Sequence, residues 1–414
     1  MKRQNMIPKI DLEKYDYDLP QEKIASFPLD DRSSSKLLCV SRKEKEIEHR
    51  VFRDLPGLLP DNSLLVFNNT KVIAARLPML KETGGSAELL CVEPYGEIRD
   101  PQIAMQDKKR SRWICIVGGK KINTGKVLHS ADESLHAEIT ERFGNKAVVI
   151  FFWDENITFA DIIGKAGKVP LPPYIKRKPV ESDKVRYQTV YADLEGSVAV
   201  PTAGLHFTPD VLKKIDRTGT KRLYVTLHVG PGTFKPIDEN DISRHDMHRE
   251  MISVDKSSIE EIKDHLLKND GLGIICVGTT SVRTIETLYW LGAKIYNGEN
   301  PNIQNNEFIL EQWESYDLYN KYGKVSSARA FSSLLDYLEK EGLNGIIART
   351  KLFIVPGYDF GVVDGIITNY HMPKSTLILL VAAFLGDDLW KEAYRQALEN
   401  NYRFLSYGDS SFLM

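Results

Sequence analysis

Short apolar runs alternate with polar clusters along the whole chain, and the way each run ends separates two textures. Between residues 72 and 165 the runs are β-like: "AELLCVEP", "RWICIVGG", "HAEITERF" and "KAVVIFFW". Gly, Asn and Asp separate them and helical periodicity is scarce, which predicts a small β-barrel or sandwich inserted into another domain. The preceding stretch, 11–71, predicts a turn at Leu19-Pro20, a short helix from Gln21, a loop "FPLDDRSSSKLL" and a strand "SLLVFNN" ending in a polar cluster. After the proline-rich "AGKVPLPPYIKRKP", which no helix interior accepts, strands and helices alternate.

Two later segments, "LGIICVGTTSVRTIETLYWLG" (272–292) and "VVDGIITNYHMPKSTLILLVAAFLG" (362–386), each run from a β-branched stretch through hydroxyl or amide residues into a helix. An α/β unit presents side chains and helix N–H groups at its carboxyl edge in this way, so both edges are expected to share one crevice. The fold class expected is α/β: a mixed-sheet domain of 1–71 and 166–414 carrying an inserted β-barrel domain at 72–165. Residues 293–350, with a helix around "ARAFSSLLDYLEKEG", read as an insertion within the α/β domain.

The longest apolar run, Leu377 to Leu385, is about half of the ~20 residues that a spanning helix needs, and a buried helix is expected. The N-terminus starts basic but has no apolar core of a secretory signal. At 414 residues the chain can build a sizeable core, and its net charge of −2 favours neither nucleic acid nor an anionic surface except through local patches. Cys39, Cys91, Cys115 and Cys276 are widely spaced and form no CxxC. That pattern argues against a zinc knuckle, an iron–sulfur cluster or a disulfide framework, and suits a reducing, cytoplasmic setting.

Polar residues cluster where strands end. "FNNTKVIAARL" carries Asn68, Asn69, Thr70, Lys71 and Arg76, and is also good turn chemistry. "VPTAGLHFTPDVL" places His206 just before Thr208-Pro209, a helix cap and first position. "LHVGPGTF" puts His228 beside a glycine-rich loop, but "GGKKINTGKV" fails the P-loop spacing and reads as a basic hairpin. "SRHDMHRE" sets His245 and His248 three apart with Glu250 beyond, so two imidazoles could share one helical face; it is not HExxH, and no metal is expected.

"VGTTSVRTIE" predicts a helix capped by Thr279 or Thr280, with Arg283 one turn in and able to pair with a carboxylate or phosphate. In "TNYHMPKST", capping by Ser375 or Thr376 explains the end of the cluster and leaves Asn369 and His371 unexplained. Basic residues interleave with aromatics at 108–121 and 174–187, a solvated face or a phosphate-backbone contact.

Taken together these motifs resemble one family closely, the S-adenosylmethionine:tRNA ribosyltransferase-isomerases of queuosine biosynthesis. The resemblance rests on "LVFNNTKVIAARL", "PLPPYI", "YQTVYADLEGSVAVPTAGLHF", "VTLHVGPGTF", "HDMHRE", "VGTTSVRT", "VDGIITNYHMPKSTLILLVAAF" and "YRFLSYGDSSFL", in order along most of the chain. Relative to the family pattern, 293–350 reads as enlarged, the barrel as divergent, and Arg249 stands where a small residue is usual.

The resemblance implies an α/β domain with an inserted barrel, acting on tRNA that carries 7-aminomethyl-7-deazaguanine at the wobble position. The ribosyl portion of S-adenosylmethionine moves to the aminomethyl nitrogen and rearranges to epoxyqueuosine, releasing adenine and methionine. A base takes a proton from the carbon beside the sulfonium, adenine leaves, the amine attacks, and epoxide closure expels methionine. Acid–base groups near neutrality are required, and histidine suits them.

His206, His228, His248 and His371 are therefore the expected catalytic candidates. Asn68, Asn69, Thr70, Thr279, Thr280, Arg283 and Asn369 are expected to hold the donor, and Lys71, Arg76 and Arg186 to meet RNA phosphate. No metal and no cofactor beyond the co-substrate S-adenosylmethionine is expected, and no membrane partner; tRNA is the expected partner, and a monomer the expected state. The alternatives are a ribosyltransferase paralogue with a different acceptor and a non-catalytic RNA-binding paralogue.

Overall fold

The computed structural model describes residues 8–97, 99–234, 236–237, 241–268 and 273–414. The basic start of the chain, 1–7, and Leu272, the expected first residue of one α/β unit, lie outside the described residues. The chain divides into two compact units. One holds the chain up to Asn69, with Pro201–Leu227 and Gly232–Met414; the other holds Thr70–Val200 and His228–Pro231.

The first unit is built on an eleven-stranded sheet. Across it the order is Asn302–Gln304, Glu307–Leu310, Gly345–Thr350, Glu250–Asp255, Lys221–His228, Leu64–Asn68, Ile274–Val277, Gly365–Asn369, Ser410–Leu413, Lys36–Ser41 and Glu46–Val51. Leu64–Asn68 pairs in parallel with Lys221–His228 and with Ile274–Val277, which pairs in parallel with Gly365–Asn369. Antiparallel pairs join further out, so the sheet is mixed. Every residue of Leu64–Asn68, Ile274–Val277 and Gly365–Asn369 is buried, as strands covered on both faces require.

The two expected strand–loop–helix units are therefore neighbours. Ile274–Val277 leads into the helix Thr279–Tyr296, and Gly365–Asn369 leads into Thr376–Leu385. The first helix is buried from Thr279 to Ala293, and its hydroxyls bond back along the chain: Ser281 Oγ to Val277 O at 2.8 Å and Thr284 Oγ1 to Thr280 O at 3.0 Å. Residues 293–350 do not stand apart from the sheet; they supply three of its strands and the helix Ser327–Lys340, centred on the segment expected to be helical. That helix packs on the first so closely that a Cβ on Gly292 would lie 2.2 Å from the carbonyl oxygen of Ala330.

The second unit contains a closed barrel in the order Lys146–Phe152, Arg110–Gly118, Ser86–Pro94, Arg76–Lys81, Val127–His129 and His136–Phe143. All its pairs are antiparallel. Alternate residues fill its interior, among them Leu77, Leu89, Trp113, Cys115, Ile139, Val149 and Phe151, the period-two pattern of a small barrel. "GGKKINTGKV" is not a hairpin, because the strands it joins are not neighbours; its Ile122 enters the barrel core.

This unit runs past residue 165. Lys168 and Arg76 exchange backbone hydrogen bonds, Gln188 bonds both backbone groups of Val72, and Leu194–Ser197 pairs in parallel with Thr70–Val72. Proline content marked the change of local texture near 166, but backbone pairing keeps the residues after it with the barrel.

Candidate active site

Gly278 turns the chain from the strand Ile274–Val277 into the helix Thr279–Tyr296 at φ 89°, a conformation that glycine tolerates and β-branched residues avoid. It occupies the cap position in place of either expected threonine, and Thr279 is the first helical residue. Thr280 Oγ1 instead accepts from Asn68 Nδ2 at 3.2 Å. The rest of the Asn68 amide bridges to Leu227, donating to its carbonyl at 2.9 Å and accepting from its N–H at 3.1 Å. Asn69 accepts from Thr226 Oγ1 at 2.8 Å. These residues knit the ends of adjacent strands together.

One turn into the helix, Arg283 is 5% exposed. Its Nη1 bonds the Glu250 carboxylate and its Nε donates to Leu352 O at 3.1 Å. The other Glu250 oxygen accepts from Thr233 Oγ1 at 2.8 Å. Among the described residues, no acceptor meets Arg283 Nη2, although that atom is buried. Leaving a buried donor unmet costs about 1–3 kcal/mol, more when it is charged.

Arg283 lines a cavity of about 310 Å³ within the first unit. Thr233, Asp246, His245, His248 and Glu250 provide further polar lining, and Leu352, Ile354, Leu377 and Leu380 apolar lining. Such a mixture is usual for small-molecule sites of about 300–1,000 Å³. Thr376, from the neighbouring strand–loop–helix unit, reaches the same cavity.

His248 is exposed, and its ring lies against Gly232, where a Cβ would fall 1.9 Å from Cδ2. His245 is partly buried, with its ring centroid 5.7 Å from that of Phe353. The two do not share a helical face: the short turn Ile242–Arg244 ends at His245, which is extended, and the chain stays irregular to the strand at Glu250. A 2.6 Å bond from Lys351 holds the Asp246 carboxyl below the usual carboxylate range.

His206 and Asn369, from separate motifs, meet in a second place. Asn369 Nδ2 donates to Leu405 O at 2.9 Å, so its Oδ1 faces His206 Nε2 at 3.2 Å. Nε2 therefore carries the proton, and His206 Nδ1 accepts from Ser35 Oγ at 2.8 Å. Burial pushes the His206 pKa down to about 4.

His371 is also buried. Its Nε2 meets Thr368 Oγ1 at 2.9 Å, its backbone N–H donates to Tyr394 OH at 3.2 Å, and its carbonyl accepts from Tyr17 OH. Burial pushes its pKa down to about 3. The adjacent helix is capped by Ser375, whose Oγ accepts from Ile378 N at 3.3 Å, while Thr376 turns to the cavity.

These strand ends and the cavity beside them can be set against known proteins. The model of a family described as "Queuosine biosynthesis protein" matches residues 12–413. The chain belongs to that family. An S-adenosylmethionine:tRNA ribosyltransferase-isomerase of Thermotoga petrophila is 37% identical over 403 residues, covering 97% of this chain and 99% of the relative. One of the same description from a Sulfurihydrogenibium species is 39% identical over 407 residues, with 97% and 99% covered. A crystal structure of an S-adenosylmethionine tRNA ribosyltransferase from Thermotoga maritima is 28% identical, covers 97% of this chain and 100% of that one, and has a TM-score of 0.47.

The remaining candidates of this queuosine-family chain belong to its barrel unit. Thr70 Oγ1 and His228 Nδ1 are 2.9 Å apart, and Gly196 allows the backbone close to that ring. Lys71 Nζ pairs with Glu195 at 2.9 Å and Arg76 with Glu88 at 3.6 Å. Arg186 ends the short helix Asp183–Arg186 and is partly buried.

Sequence reasoning passed over Thr233 as a contributor and weighed Glu250 only as a metal neighbour, although both lie inside motifs that it singled out. Glycine spacing around Thr233 was the available signal; its pairing to Glu250 has no signature in either segment alone. Among the described residues no group of three or more His, Cys, Asp or Glu could hold a metal ion, and all four cysteines are free thiols. No helix of the described residues is long and apolar enough to cross a membrane.

Proposed function

We propose that the chain transfers and isomerises the ribosyl moiety of S-adenosylmethionine onto 7-aminomethyl-7-deazaguanine at the tRNA wobble position, forming epoxyqueuosine and releasing adenine and methionine. Family membership over residues 12–413 supports the coarser part, a role in queuosine biosynthesis. The observation that carries the finer part is convergence. Thr233, His248 with Glu250, Arg283 and Thr376 come from four separate motifs and line one cavity.

In this reading S-adenosylmethionine sits in that cavity as co-substrate, with no further cofactor, and the protein works as a cytoplasmic monomer. His248, exposed and beside His245 in the cavity lining, is assigned to take the proton beside the sulfonium; a group of this kind contributes typically 10²–10⁴-fold to rate. His206 and His371 are neutral at pH 7, and each already has a side-chain hydroxyl on its ring, so positioning suits them better than proton storage.

The test is incubation of the protein with S-adenosylmethionine and tRNA bearing the deazaguanine, followed by nucleoside analysis. Adenine and methionine release with epoxyqueuosine formation is expected. No release sinks the proposal, and release without epoxyqueuosine points to another acceptor.

A further inference from the structure

Arg283 carries a buried positive charge with one of its three nitrogens unmet among the described residues. We infer that Arg283 Nη2 is the anchor for the carboxylate of an α-amino acid group, the methionyl end of S-adenosylmethionine, in the cavity beside it; this rests on the donor reading of that site. Nη1 and Nε are held by Glu250 and Leu352, which fixes the guanidinium plane. Thr233 in turn fixes Glu250. The guanidinium is thus oriented before a ligand arrives, and little side-chain entropy remains to be lost on binding.

The choice of a carboxylate over a phosphate comes from the surroundings. Nη2 is buried and unmet, and Leu352, Ile354, Leu377 and Leu380 line the cavity together with Arg283. A methionyl chain offers apolar methylenes to those residues and places a small, planar anion at its tip. A phosphodiester would have to bury a bulkier group together with its ribose neighbours. Asp246 and Glu250 are the carboxylates lining the same cavity, and a carboxylate has lone pairs to spare for the ammonium of an amino acid.

The experiment is calorimetric titration of the full chain with S-adenosylmethionine and with its decarboxylated analogue, which keeps the sulfonium, adenosine and ammonium. Loss of a charge-assisted hydrogen bond predicts that the analogue binds about 10–100-fold more weakly. In R283M/E250Q, which leaves no unpaired buried carboxylate, the two ligands should bind alike, with thermal melting used to confirm folding. Equal affinities in the unaltered protein, which need no variant, overturn the inference. So does an undiminished gap in the double variant, or displacement of S-adenosylmethionine by millimolar inorganic phosphate without any gap between the two ligands. Adenine release on tRNA with no affinity gap would sink the anchor and leave the proposed function standing, whereas absence of S-adenosylmethionine binding would sink both.

Discussion

Arg283 and Glu286 lie three residues apart on one buried helix, and they differ in how their hydrogen bonds are filled. Glu286 is 0% exposed, and its two oxygens accept from Tyr358 OH, Gly361 N, Val362 N and Val363 N at 2.8–3.2 Å. Burial pushes its pKa up, opposed by those donors. It pins the 358–363 loop and leaves nothing over. Arg283 is held on two of its three nitrogens, and among the described residues the third meets no acceptor. Burial alone marks both residues; what separates them is the donor on Arg283 that no described acceptor fills.

The sharpest way to break this contrast is Glu286→Leu. It strands four donors around a carboxylate-shaped space and should cost on the order of 3–5 kcal/mol in urea unfolding. A loss below about 1 kcal/mol would show that the loop does not depend on Glu286.

Next in size is the acid limb of stability. His206 and His371 have folded pKa values of about 4 and about 3, against 6.5 for an ordinary histidine. As pH falls below 6.5 the unfolded chain takes up protons first, so stability is intact above that pH and declines toward pH 4 and 3. Each histidine adds up to about 1.4 kcal/mol per pH unit. His371→Gln should make the slope between pH 6 and 4 shallower by about one histidine's share; an unchanged slope would show that His371 titrates alike in both states.

Thr233→Val removes the hydroxyl that fixes Glu250, and through it Arg283. About 1 kcal/mol, or roughly fivefold in S-adenosylmethionine affinity, is expected, with the melting temperature little altered. If melting falls while affinity holds, Thr233 serves the fold. Ser375→Ala is the smallest change and the matching control. It deletes a helix cap next to a cavity-lining residue, should cost about 1 kcal/mol of stability, and should leave donor affinity unchanged.

Much of the architecture is legible in the chain. The period-two runs of 86–152 fill a barrel because alternate side chains must point inward, and the two strand–loop–helix units are adjacent as their buried β-branched stretches require. Boundaries are less legible. Residues 166–200 belong with the barrel through backbone bonds such as Lys168 to Arg76, and backbone pairing leaves no residue-type signature. Local chemistry reads well where one side chain suffices, as in the Ser375 and Thr208 caps. It reads poorly where φ decides, as at Gly278, which takes the place expected for a threonine.

The amino-acid sequence by itself determined the family, the α/β class, the inserted barrel and the motifs that contribute to the candidate site, because these depend on residue type and near-neighbour spacing. Only the tertiary structure decided which motif residues meet and which polar atoms are left unfilled. Thr233, Glu250 and Arg283 bond across segments up to 50 residues apart in number, and Asn369 meets His206 from 163 residues away. A hydrogen bond is satisfied or not by the position of its partner in space, so one unfilled nitrogen on Arg283 becomes visible only after the chain has folded.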